Sequence, residues 1–373
     1  MQCRKFRFLA MLVPLLLLGG CKVGHYFIYN FADTNDHRKF PSRPLPASPA
    51  PYPYVEAAVE KAPKAILVES REVAFDAFLE KHKTVAFLVV QRDTIVYERY
   101  FKGYDASSIH TSFSMAKSVT SMLIGCAIAD GFIQQVQQPV TDFLPELKTK
   151  GFDQVTVEHL LQMTSGLKFD ESYSNPFGDA ATFYYGRRLY RDMQRMKLEA
   201  APGTRFEYQS GSSQLLGWVL ERSLRQAGDP RTVTSYAYDK LWVPLGMEFP
   251  ASWSTDRKNG GMEKTFCCLN APARDFAKLG SLYLHQGYWN GRQLLPAEWV
   301  ARSTRADTTN GGAPYYRYQW WLPSAEGDFM AHGILGQYIY VDPARQLVIV
   351  RLGTKEGGVD WGPVFRSLAQ AWP

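Results

Sequence analysis

Ser114-Met115-Ala116-Lys117 places a hydroxyl and an amine one helical turn apart, on one face of any helix that carries them. A serine hydroxyl is a weak nucleophile at neutral pH until a base takes its proton. Lysine serves as that base when its amine is substantially neutral, a state promoted by burial among apolar groups and by nearby cations. The two residue types together point to acyl transfer through a covalent intermediate. Met115, Val119, Met122, Leu123 and Cys126 recur behind them at helical spacing, and Asp130-Gly131 supplies a stop, so a helix is predicted to open at Ser114. Free backbone N–H groups at such a start are suited to holding an oxyanion. Ser165-Gly166-Leu167-Lys168 repeats the spacing, but Gly166 and the following Phe169-Asp170-Glu171 read as loop. For an isolated match, a serine cap followed by a solvated lysine is the commoner reading, and further motifs are needed to set it aside.

A hydrolase built on Ser and Lys also needs a proton path to its leaving group. Pro202-Gly203 forms a turn that leads to Tyr208, and Ser210 or Ser212 can cap a helix running through Leu215, Leu216, Val219 and Leu220. A tyrosine held near the amine and the hydroxyl can shuttle a proton as phenol and phenolate. Among 21 tyrosines a purely structural role is the default, which position alone does not overturn.

The elements that must hold these groups are legible at both ends of the chain. A helix is predicted over Ser70–Lys81, with Ser70 as cap and Phe75, Phe78 and Leu79 inward. Val85–Gln91 and Thr94–Phe101 read as a hairpin across Arg92-Asp93. Phe329–His332, Gln337–Val341 and Gln346–Leu352 read as strands, the last two joined by Asp342-Pro343-Ala344-Arg345, and Pro363–Trp372 as a closing helix. Strand-rich ends around a mostly helical middle, about 114–300, imply an α+β fold: one antiparallel sheet from N- and C-terminal strands, flanked by helices, with an inserted helical lobe.

Several motifs in this order carry a resemblance: Ser114-Met-Ala-Lys117, Thr156-Val-Glu-His159-Leu-Leu-Gln-Met-Thr164-Ser165-Gly166, Pro202-Gly203 to Tyr208-Gln-Ser210, Asn270-Ala-Pro-Ala-Arg274-Asp275, Tyr318-Gln-Trp320-Trp321 and Gly336-Gln337 to Asp342-Pro343. Jointly they resemble the serine β-lactamase-like superfamily, in its class C-like branch. They are most similar there to the 6-aminohexanoate-oligomer hydrolase and esterase group, from about residue 75 to the end. The resemblance implies Ser114 as nucleophile, Lys117 as its base partner and Tyr208 as acid/base, at the junction of sheet and helical lobe. It also implies that Ala331-His332-Gly333-Ile334-Leu335-Gly336 stands where the family carries a Lys-Thr-Gly-like strand. His332 then replaces a cation that recognises a substrate carboxylate, and a backbone N–H between Gly333 and Leu335 completes the oxyanion site. Ser210 stands where an asparagine is usual. Both departures weaken penicillin recognition. Tyr173 resembles a loop tyrosine bordering the leaving-group pocket in amide-hydrolysing relatives, and reads equally as a surface aromatic.

The resulting expectation is a serine hydrolase of small esters or linear amides. The alternatives are a penicillin-recognising DD-peptidase or β-lactamase, and a catalytically silent envelope binding protein. No cofactor or metal is expected, because the histidines lack ligand spacing. Half of the net charge of +6 lies in Arg4, Lys5 and Arg7, and without a basic run nucleic acid is not an expected partner.

Those basic residues precede an apolar run, Phe8 to Leu18, and the sequence Leu18-Gly19-Gly20-Cys21. This resembles a lipoprotein signal over residues 1–20, with Cys21 lipidated. The expected location is therefore the bacterial cell envelope, membrane-anchored and facing the periplasm, with the outer membrane favoured because Lys22 is not a retention aspartate. Residues 21–54, with six prolines between 41 and 53, read as an anchored tether before a hydrolase domain over 55–373. Cys126 reads as a buried thiol, and Cys267-Cys268 as two packed thiols rather than a vicinal disulfide. Arg274-Asp275 reads as a structural salt bridge.

Overall fold

The computed structural model describes residues 32–68 and 71–372. The signal segment, Cys21 and Ser70 lie outside the described residues.

Thr84–Gln91 is apolar along nearly its whole length, the pattern of a strand covered on both faces rather than on one. It lies inside an eight-stranded sheet, in the order Tyr316–Arg317, Trp320–Trp321, Phe329–Gly333, Gln337–Asp342, Leu347–Gly353, Thr84–Gln91, Thr94–Tyr100 and Val55–Glu56. Neighbours are antiparallel except Val55–Glu56, which pairs parallel with Thr94 and Ile95 at the far edge. The join between the two ends of the chain is the Leu347–Gly353 strand, whose Leu347 pairs with Gln91 and Leu352 with Ala86. Arg92 and Asp93 both take positive φ, as a tight two-residue hairpin turn requires.

The period-two alternation sorts side chains between two cores. Phe87, Val89, Leu347 and Ile349 pack with Phe75, Phe78, Trp361 and Phe365 from the helices Phe75–Lys81 and Trp361–Ala371. Leu88, Val90, Val348 and Val350 face the larger core, which continues into the helical lobe. Helix Ala273–Leu284 lies against that second face through Gly280, where an added Cβ would come 2.7 Å from Val348 Cγ1 and 2.8 Å from Ile339 Cγ2.

Three expectations need correction. The first helix begins at Phe75 rather than at Ser70, because Arg71–Ala74 instead pairs antiparallel with Ala65–Val68 as a small hairpin. The proline-rich segment is not a free spacer over its described part. Ser42–Leu45 forms the edge strand of a second sheet, with Pro44 opposite Ser252, and Tyr54 is buried with its hydroxyl 2.7 Å from Ser281 Oγ. Proline lacks an N–H to donate, which an edge strand tolerates. Finally, Arg274 and Asp275 do not pair with each other. Arg274 bonds Glu98 and Glu56, while the buried Asp275 accepts from the backbone of Glu248 and Phe249.

Candidate active site

The helix Met115–Ala129 is buried through most of its length, which explains its weak amphipathic pattern: it has core on nearly every side. Ser114 occupies the position before its first turn. The turn is drawn tight by Ser112, whose N–H donates to Leu269 O at 2.8 Å, and by Phe113 in a positive-φ conformation. Strand Phe329–Gly333 runs directly against it. A Cβ at Gly333 would sit 2.2 Å from Ser112 O and 3.1 Å from Ser114 N.

Lys117 is 1% exposed and its Nζ has three partners: Ser114 Oγ at 3.0 Å, Ser210 Oγ at 3.1 Å and the Phe266 carbonyl at 2.9 Å. The rings of Tyr208 and Phe266 flank the amine at 5.2 and 5.7 Å. Burial drives its pKa down from the ordinary lysine value to about 8, against a smaller opposing pull from Glu171. The opposite arrangement holds for the repeat motif. Ser165 is hydrogen-bonded to Ser212 at 2.8 Å, and Lys168 points into solvent.

Tyr208 comes in on the turn after Gly203 and just before helix Ser210–Gln226. It packs edge-on to Tyr316 (5.8 Å, 90°) and against Trp321 (5.3 Å). Burial raises its pKa above the ordinary tyrosine range, against a smaller opposing pull from the Ser114 hydroxyl. Ser114 and Lys117 are thus in direct contact, with the Tyr208 ring beside the amine. Ser210 joins them, and so does Glu171, whose carboxylate accepts from Ser210 Oγ at 2.6 Å and from Ser210 N at 2.7 Å.

A partly open cavity lies beside the hydroxyl. Phe113, Ala180, Ala181, Tyr184, Tyr185 and Phe266 make it mainly apolar, while Ser114 and Ser210 supply polar edges. Tyr173 lines its mouth, 47% exposed, with its hydroxyl donating to Glu171 Oε1 at 2.8 Å. From the expected oxyanion segment, Ile334 reaches the cavity wall. His332 does not: it stacks on Tyr338 (4.4 Å, 6°) and lies 3.6 Å from Glu356, because alternation along the strand turns it away from the face that carries Gly333.

Cys267, another wall residue, is disulfide-bonded to Cys268, which corrects the expectation of two packed thiols; Cys126 is a free, buried thiol as expected. The disulfide sits in a loop bonded to the helices Met115–Ala129 and Ser210–Gln226. Thr265 O accepts from Thr120 Oγ1 at 2.9 Å, and Thr265 N donates to Gln214 Oε1 at 3.0 Å.

Known proteins resemble this chain over most of its length. The family model described as Beta-lactamase matches residues 73–371. The 6-aminohexanoate-dimer hydrolase of Paenarthrobacter ureafaciens is 29% identical over 343 residues, spanning 84% of this chain and 81% of that protein. A solved structure of a candidate 6-aminohexanoate-dimer hydrolase from Bacillus anthracis aligns with a TM-score of 0.79 at 25% identity, covering 90% of this chain and 92% of the other. A family VIII carboxylesterase shares the fold at a TM-score of 0.57 and 17% identity, over 75% and 89% of the two chains. On the extent of the family match and the company of its relatives, the chain is a serine hydrolase belonging to the beta-lactamase family.

Proposed function

We propose that this enzyme cleaves small esters or linear amides through an acyl-enzyme on Ser114, with Lys117 as base and Tyr208 as acid. The observation that carries the reading is the buried Lys117 amine, 3.0 Å from Ser114 Oγ with its proton affinity lowered. Neutral Lys117 takes the hydroxyl proton as Ser114 Oγ bonds to the substrate carbonyl carbon. The resulting oxyanion is held by backbone N–H groups of Ser114 and of the Gly333–Leu335 segment. Tyr208, kept as a phenol by burial, gives its proton to the departing alcohol or amine, and the Lys117 ammonium restores it. Water then attacks the ester on Ser114 with the same groups acting in reverse.

The apolar cavity favours an uncharged acyl chain, and the relatives named for 6-aminohexanoate dimers extend the reading from esters to linear amides. His332 lies 3.6 Å from Glu356 and is not part of the cavity wall, so it is not placed to meet a penicillin carboxylate there. This supports the ester and amide reading over the penicillin-recognising one. In this reading Cys21 carries the lipid that holds the enzyme to the envelope membrane, facing the periplasm.

Labelling with a fluorophosphonate, followed by intact mass and a panel of p-nitrophenyl esters, linear amides and nitrocefin, tests the proposal. One adduct on the wild type and none on Ser114→Ala is the expected result. An undiminished adduct on Ser114→Ala would overturn it.

A further inference from the structure

Glu171 belongs to none of the catalytic roles above, yet it is hydrogen-bonded one group away from the base. Its Oε1 accepts the Ser210 hydroxyl proton and its Oε2 the Ser210 backbone N–H, at 2.6 and 2.7 Å. A hydroxyl has one proton to give. With that proton committed to the carboxylate, Ser210 Oγ can meet Lys117 Nζ, 3.1 Å away, only through a lone pair. The Phe266 carbonyl on the other side of the amine, at 2.9 Å, is likewise an acceptor only. A neutral lysine amine has two N–H bonds and one lone pair. Both N–H bonds are then engaged, and the lone pair has one partner left, the Ser114 hydroxyl at 3.0 Å. Without the carboxylate, the Ser210 proton is free to turn onto that lone pair and compete with Ser114.

We propose that Glu171 is a positioning residue that acts through Ser210, fixing the direction of the Ser210 hydrogen bond and so reserving the Lys117 lone pair for the Ser114 proton. The proposal rests on the acyl-transfer reading above and adds a residue to the same site. The groups facing Lys117 are Ser114 on its own helix, Tyr208 and Ser210 from the segment after Gly203, the ring and carbonyl of Phe266, and Glu171 with Tyr173 bonded behind it. Of these, Glu171 is the carboxylate, and its charge favours the protonated amine. Its removal therefore moves the pKa of Lys117 downward even as it disorders the hydrogen bonds.

The experiment measures p-nitrophenyl butyrate turnover from pH 6 to 10 for the whole enzyme and for Glu171→Gln, Glu171→Asp, Ser210→Ala and the Glu171→Gln/Ser210→Ala double variant. Glu171→Gln is expected to lower kcat at least about tenfold with little change in KM. Its rising pH limb is expected to move about half a unit or more toward acid. Glu171→Asp, which keeps the charge, is expected to hold the limb in place and recover part of the rate. The double variant is expected to be no slower than the slower single one, since both break one chain of bonds. An unmoved limb in Glu171→Gln, or losses that multiply in the double variant, would overturn the proposal. Should Glu171→Gln fail to fold, Glu171→Ala takes its place: a fall in kcat that adding Ser210→Ala relieves supports the proposal, and a wild-type kcat overturns it. Full turnover by Ser114→Ala would instead mark failure of the acyl-transfer reading itself.

Discussion

Gly333 and Ser112 approach so closely that a methyl group on the first would lie 2.2 Å from the carbonyl oxygen of the second. The strand edge and the nucleophile turn are therefore locked together by the absence of a side chain, and the oxyanion donors proposed on either side inherit that spacing. Gly333→Ala must push the strand outward. Turnover is expected to fall about a hundredfold or more, the scale of a lost oxyanion donor, with the protein still folded by circular dichroism. A variant with more than half the wild-type kcat/KM would separate the oxyanion site from this contact.

The pH profile follows from the base. As the proposed base, Lys117 must shed its proton before it can accept one, and burial lowers its pKa to about 8. Activity is thus expected to rise with pH and level off above that value. Tyr208 is raised above the ordinary tyrosine range by burial, so its proton is retained and no descending limb is expected below about pH 10. An activity maximum near pH 6 would rule out neutral lysine as the base.

Removing the phenol oxygen with Tyr208→Phe leaves the ring contacts to Tyr316 and Trp321 in place. kcat is expected to drop about 10²–10⁴-fold on poor leaving groups such as alkyl amides. The loss should be smaller on p-nitrophenyl esters, whose leaving group needs little protonation. Equal losses on both would argue against an acid role.

The Cys267-Cys268 bond adjoins Phe266, whose carbonyl accepts from the Lys117 amine. Peptide mapping without reductant is expected to find the peptide carrying both cysteines lighter by two hydrogens, with Cys126 alkylated. Reduction by a phosphine is expected to slow turnover about tenfold by loosening that carbonyl. Alkylation of both residues before reduction would show that the bond is absent.

Sequence reasoning reached the parts of the site that depend on side-chain type at a fixed spacing. Ser114 and Lys117 stand on one helix, and Tyr208 follows a Pro-Gly turn, so local pattern sufficed. The Phe266 carbonyl was invisible because every residue carries one, and only the path of the loop makes this one special. Glu171 was in view beside Tyr173, but its bond to Ser210 spans 39 positions and has no periodic signature. His332 was placed on the right strand, yet its contacts depend on strand alternation, which turns it to Tyr338. Proline composition misled over residues 41–53, since an edge strand tolerates proline as readily as a spacer does. The start of the first helix was misjudged because a short hairpin competed for residues that a capping serine also suited.

The central sheet joins Thr84–Gln91 to Leu347–Gly353, strands drawn from opposite ends of the chain. During synthesis the early hairpin must therefore wait, one edge bare, until almost the whole polypeptide has emerged. A contact so distant along the chain makes for slow, late closure. A truncated product lacking the final strands would keep Ser114, Lys117 and Tyr208 and still be inert, since the wall that brings Gly333 against the nucleophile would never form.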